Sequence, residues 1–247
     1  MTTALPTSPA IATPAPAAST GRIQVWDLPV RVFHWSLLAA VATAIVSGEL
    51  GGDWMPLHEK AGLAILGLVA FRATWGFVGS HYARFAQFFP TPARLRRYLR
   101  GQWHDGGHNP LGALSVLALL GVLAGQAILG LFGNDDIAFS GPLHTLVADD
   151  VSLRLTAVHR WLAYGLFGLV GLHIAAILFY LLVRRRNLVR PMVSGWAEHE
   201  VPQPARKGGW VALLLSTSVA AMTVFLASGA ALHHPPPVKP AVASPSW

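Results

Sequence analysis

The chain has 247 residues, 53% hydrophobic and only 12% charged, about half the ~25% charged content of a soluble domain. With a mean hydropathy of +0.48, that balance excludes an ordinary soluble enzyme and points to an integral membrane protein. There is no cysteine, which excludes disulfides, iron–sulfur clusters, thiolate catalysis and covalent c-type haem attachment.

Residues 1–21 are mostly Ala, Thr, Pro and Ser. They lack a basic segment followed by an apolar one, so they read as a disordered tail rather than a signal peptide. Five largely apolar runs follow: Val30 to Leu50, His58 to Gly79, Pro110 to Gly133, Leu155 to Val183, and Trp210 to Leu232. Each is long enough to span a bilayer as a helix and too long for a barrel strand, and lipid admits only helices or closed barrels. Pro110 suits the first turn of the third run. The predicted fold is all-α: an integral membrane four-helix bundle over 22–195, then a link and a fifth C-terminal transmembrane helix over 196–232. Residues 233–247, with Pro235-Pro236-Pro237, form a second disordered tail. No internal repeat is evident. The fifth run carries no histidine within it and reads as peripheral to the chemistry.

Lys and Arg in the flanks set the orientation. Arg22, Arg31, Arg84, Arg94, Arg96, Arg97, Arg100, Arg184, Arg185, Arg186, Arg190, Arg206 and Lys207 fall on one side. The other side has Lys60, Arg154, Arg160 and Lys239, with Asp135, Asp136, Asp149 and Asp150. The N-terminus is therefore expected in the cytoplasm and the C-terminus outside. The net charge of +7 is then topological charge beside anionic lipid, not a nucleic-acid footprint.

The fourth run carries His159 and His173, 14 residues apart. Such a spacing on a helix is nearly four turns, so both side chains share one face, ~21 Å apart along the axis. With the hydrocarbon core ~30 Å thick, one helix holds a histidine near each membrane surface. Under the orientation above, His159 lies near the outer surface with His58, which opens the second run. His173 lies nearer the inner surface with His34, one turn into the first run. The four histidines sort by depth into an outer pair, His58 with His159, and an inner pair, His34 with His173. A single membrane histidine is as readily a packing or hydrogen-bonding residue; four that pair by depth point to ligands. One depth mismatch stands: His173 precedes Arg184 by 11 residues, ~16 Å of rise, whereas His34 follows Arg31 by three.

Structural zinc wants four ligands around one point, and two histidines with no cysteine or nearby membrane acid do not supply them. Haem iron wants one ligand above and one below, which helix bundles provide from facing helices. Two haem b groups (protohaem IX) follow, held by ligation and packing. Glycines 62, 67, 121, 125, 165, 168 and 171 permit close approach of a macrocycle or of another helix. Arg31, Arg72 and Arg160 are candidate partners for haem propionates. Arg72 lies 14 residues after His58 and belongs at the depth of the inner pair; for Arg31 and Arg160 a plain interfacial role serves equally. His81, His104, His108, His144, His199, His233 and His234 read as solvated loop residues. His104 and His108 have a metal-pair spacing, but Asp105-Gly106-Gly107 between them reads as a turn.

The stretch Trp26-Asp27-Leu28-Pro29-Val30-Arg31-Val32-Phe33-His34-Trp35 resembles the opening of the first helix in the bacterial cytochrome b561 family, which includes the b-type cytochrome subunit of nickel–iron hydrogenases. Leu57-His58-Glu59-Lys60-Ala61-Gly62 and Phe71-Arg72-Ala73-Thr74-Trp75-Gly76-Phe77-Val78-Gly79-Ser80 resemble its second helix. Gly107-His108-Asn109-Pro110-Leu111-Gly112-Ala113-Leu114-Ser115 resembles the start of its third, and Val158-His159-Arg160 with Leu172-His173-Ile174-Ala175-Ala176-Ile177-Leu178-Phe179-Tyr180 its fourth. The likeness covers about residues 22–195 and implies a four-helix core with two haems b and the same ligand pairs.

Iron with two histidine ligands has no open position for oxygen and suits electron transfer. The expected function is a dihaem cytochrome b that relays electrons between the quinone pool and a redox partner, either a c-type cytochrome or a catalytic redox subunit. The alternative is a membrane-anchor subunit of a larger enzyme such as a hydrogenase. A third reading, a haem-free proton-coupled transporter, predicts no haem. Quinone is a further expected ligand, with Trp26, Asp27 and His81 as the nearest candidates for its site.

Overall fold

A computed structural model describes residues 21–103, 109–137, 139–199 and 208–232. The two expected tails, apart from Gly21, lie outside the described residues, as do His104, His108, Arg206, Lys207, His233 and His234.

Helix α1 (Leu28–Leu50) begins two residues before the expected start, because Asp27 caps it: Val30 N–H donates to Asp27 Oδ1 at 2.9 Å, and Pro29 sits in the first turn. It stops at Gly51, whose φ of 62° is open to glycine. A short 3₁₀ turn leads into α2 (Met55–Val78). Two short helices follow, α3 (Phe85–Phe88) and α4 (Pro92–Leu99), the latter capped by Thr91. Helix α5 (Pro110–Leu131) is capped by Asn109, whose Oδ1 accepts from Gly112 N–H at 2.7 Å.

Helix α6 (Asp149–Leu182) has 34 residues and starts six residues before the expected Leu155. Asp149 and Asp150 in its first turn complement the helix dipole. Ser152 Oγ donates to the Phe132 carbonyl and Thr156 Oγ1 to that of Asn134, so the early start is tied to the loop after α5. Its length, ~51 Å by rise, exceeds the ~30 Å hydrocarbon core, so one end projects beyond it. Helix α7 (Val189–Ser194) leads to β2 (Trp196–His199), which pairs antiparallel with β1 (Gly21–Gln24), Gln24 opposite Trp196. Helix α8 (Trp210–Ala227) ends five residues before the expected Leu232, as Gly229 turns the chain with φ 72°.

Five helices, those containing 28–50, 55–78, 110–131, 149–182 and 210–227, are long and apolar enough to cross a membrane. Helix α2 is the hub. It packs against α1, α5 and α8, and its contact with α8 is the broadest between any two described helices. The fifth helix is therefore part of the bundle wall, with Gly67 of α2 making room for Val224. Helix α6 packs broadly on α5 alone among the described residues. One core cluster joins Ile65, Leu66 and Val69 of α2, Leu123, Ala127 and Leu131 of α5, Leu166 of α6 and Ala227 of α8. A second, of Ile23, Val25, Trp26, Val30, Trp75 and Ala83, lies under the β1–β2 ribbon and marks the sheet end of the bundle.

Candidate functional site

His58 and His159 come from α2 and α6, helices that share no broad contact, yet their rings meet near-perpendicular, with centroids 6.0 Å apart and planes at 81°. Two imidazole–metal bonds of ~2.0 Å, with ~1.1 Å from each ring nitrogen to its ring centre, place two axial rings ~6.2 Å apart. The observed separation therefore fits one iron between them. His58 Nδ1 lies 2.8 Å from the Ala44 carbonyl oxygen, and His159 Nδ1 lies 2.9 Å from that of Gln126. A carbonyl only accepts, so each Nδ1 is the protonated donor and each Nε2 keeps its lone pair for a ligand. Both tautomers suit axial ligation.

His34 and His173 come from α1 and α6, which also share no broad contact. His34 Nδ1 is buried without a hydrogen-bond partner, the condition of a nitrogen that awaits a ligand or a proton acceptor. The depth mismatch expected from the arginines shrinks once the helix ends are known. His34 lies six residues after the start of α1 and His173 nine before the end of α6, a difference of about one helical turn. Leu166 stands midway between His159 and His173 and is 5% exposed within the main core cluster. It separates the two positions.

The glycines differ in their surroundings. A Cβ at Gly62, one turn after His58 on the same face, or at Gly121, one turn before Gly125 on α5, would meet nothing within 4 Å. Gly67 and Gly125 instead face Val224 and Leu162 and serve helix packing. Gly168 is half a turn round the helix from His159, off the shared histidine face. The donors, tautomers and open space fit haem.

The three arginines differ. Arg72 is 3% exposed, its Nη1 is buried without a partner, and its guanidinium lies over the rings of Phe85 (4.9 Å) and Phe88 (5.9 Å). Asp27 acts on it electrostatically, but the Asp27 carboxylate already accepts from Val30 N–H and from Trp75 Nε1–H at 3.0 Å. Arg72 thus keeps donor capacity for an anion. Arg31 Nη1 donates to the Val193 carbonyl and Trp35 Nε1 to that of Met192, pinning α1 to α7; Arg31 Nε is buried without a partner. Arg160 is exposed beside His159. Trp26 is buried, Asp27 is occupied as described, and His81 lies in a 3₁₀ turn against Tyr82. Among the described residues no three His, Asp or Glu side chains converge as a metal-binding group.

Two arrangements escape sequence reasoning. The seats of His58 and His159 are backbone carbonyls, invisible in residue types. Tyr98 of α4, Tyr180 of α6 and Asn109 form a hydrogen-bonded chain, with hydroxyls 2.6 Å apart and Asn109 Nδ2 donating to Tyr180 at 2.8 Å. That contact pushes Tyr98 up to about 12 from its ordinary value of 10.0, with burial adding to it.

Residues 25–195 match the family described as prokaryotic cytochrome b561. The chain is 24% identical over 227 residues to a protein of Azotobacter vinelandii named as a probable Ni/Fe-hydrogenase B-type cytochrome subunit, covering 74% of this chain and 91% of that one. It is 20% identical over 225 residues to the probable Ni/Fe-hydrogenase 1 B-type cytochrome subunit of Escherichia coli K12, covering 74% and 94%. Against a like-named protein of Rhodobacter capsulatus it is 25% identical over 215 residues, covering 70% and 80%. No solved structure matches the chain.

Proposed function

The chain belongs to the prokaryotic cytochrome b561 family, and from that premise we propose that it carries electrons through two haems b stacked across the bilayer. It is a multi-pass membrane b-type cytochrome in electron transfer, of the kind that works with a redox partner such as a catalytic subunit. On our reading His58 and His159 hold the outer haem and His34 and His173 the inner one, with Arg72 on an inner propionate and Arg31 and Arg160 as further propionate partners. The observation that supports this is the His58–His159 pair, near-perpendicular rings with centroids 6.0 Å apart, from two helices that share no broad contact.

Haem b held at each site by two histidines would supply one-electron redox chemistry and would leave no position for oxygen. The protein's part is to hold the four imidazoles, exclude water with lipid-facing helices, and offset propionate charge with arginine. We place the N-terminus in the cytoplasm and the chain in the inner membrane, on the arginine asymmetry of the flanks. The electron-transfer route runs between quinone and a redox partner, a c-type cytochrome or a catalytic subunit. The names of the relatives, which the chain covers almost end to end, favour a hydrogenase-like catalytic subunit as that partner.

The test is a reduced-minus-oxidised visible spectrum of the purified chain with haem quantification, followed by quinol addition. Two haems b per chain, both reducible by quinol, is the expected result. No b-type signal contradicts the whole reading; one haem per chain contradicts the stacked pair.

A further inference from the structure

We propose that Gly48 and Gly130 are positioning residues for the outer ligand pair, each keeping a helix carbonyl bare so that a histidine of another helix can donate to it. The proposal rests on the reading of His58 and His159 as ligands. The same device occurs twice. On α1, the Ala44 carbonyl receives His58 Nδ1 and Gly48 stands four residues later; on α5, the Gln126 carbonyl receives His159 Nδ1 and Gly130 stands four residues later.

The spacing has a steric cause. A helical carbonyl bonds the N–H four residues on and keeps a second lone pair. The Cβ of that later residue tilts toward the helix N-terminus, over the carbonyl. A Cβ at Gly48 would come within 2.8 Å of His58 Nδ1 and 3.0 Å of its Cε1; one at Gly130, within 3.2 Å of His159 Cε1 and 3.5 Å of its Nδ1. Neither glycine has a positive φ, so the backbone does not call for glycine at either place, and a helix interior disfavours it. The space taken by the two imidazoles accounts for both. The inner pair has no counterpart to this seat at His34, whose Nδ1 is buried without a partner.

An imidazole that donates through its far nitrogen is held in one orientation and is a more basic ligand, and losing such a partner typically weakens metal affinity ~10–100-fold. A more basic ligand favours ferric iron, so losing the carbonyl seat raises the potential of the haem concerned. The effect is local to the outer haem and larger at Gly48, where the added methyl comes closer.

The experiment compares the full-length wild type with Gly48→Ala, Gly130→Ala and His58→Ala by potentiometric titration, low-spin EPR and melting temperature. His58→Ala identifies the outer haem by its loss. The expected result is that both glycine variants raise the potential of that same haem and shift its EPR signal, Gly48→Ala more, with the other haem unmoved. Unchanged potential and EPR signal in both, whatever happens to melting, overturns the proposal. If Gly48→Ala does not fold, the looser Gly130→Ala decides it alone. If His58→Ala retains both haems, the ligand reading itself fails and the glycine assignment falls with it.

Discussion

Arg72 is the residue whose surroundings say most about what the bundle holds. A guanidinium 3% exposed, against two phenylalanine rings and with Nη1 unpaired, is costly unless an anion meets it. The Asp27 carboxylate takes its described hydrogen bonds from Val30 N–H and Trp75 Nε1–H. Arg72→Gln is expected to remove one charge-assisted hydrogen bond, ~1.5–3 kcal/mol, and so lower retention of the inner haem roughly tenfold or more. Haem-to-protein ratio after gel filtration measures this, and full retention of both haems would count against the propionate role. The place of Arg72 on the second span, 14 residues after His58, was readable in the sequence. Its aromatic box was not, because Phe85 and Phe88 arrive on a four-residue helix with no periodic signal of its own.

At the scale of elements, the five spans were legible because ~20 apolar residues in a row have no other use. Their ends were less so. Asp27 and Asn109 are caps that a sequence can suggest, whereas the early start of α6 depends on Ser152 and Thr156 reaching carbonyls of the preceding loop. The β1–β2 ribbon joins residues some 170 positions apart through four-residue strands, and no local pattern announces it. Helix α4 is held to α6 by Tyr98 on Tyr180, so Tyr98→Phe should cost about 0.5–1.5 kcal/mol in thermal unfolding. Because Tyr98 is raised from 10.0 to about 12 in the fold, its contribution is complete below pH 10 and is lost as pH rises toward 12. A melting series over that range should therefore fall more steeply for the wild type than for Tyr98→Phe; parallel curves would contradict the assigned contact.

At the scale of the molecule, α6 is on the proposed reading a shared wall. Among the described residues its one broad helix contact is with α5, and it places His159 and His173 on either side of Leu166. The 14-residue spacing is legible in the sequence; the helices that α6 packs against are not, since that depends on side chains far apart in the chain. Orientation is checked in the cysteine-free chain by single substitutions. Ile137→Cys, on a loop residue 90% exposed, should react with an impermeant thiol reagent in spheroplasts, and Arg184→Cys should not. The reverse pattern would invert the topology and exchange the inner and outer sites.

The pairing of the four histidines is tested most directly by haem content per folded chain in His34→Ala, His58→Ala, His159→Ala and His173→Ala, with EPR to identify which haem remains. The account predicts one haem in each variant, the same one in His58→Ala and His159→Ala, and the other in His34→Ala and His173→Ala. A folded variant that keeps both haems, or a different grouping of the four, would contradict it.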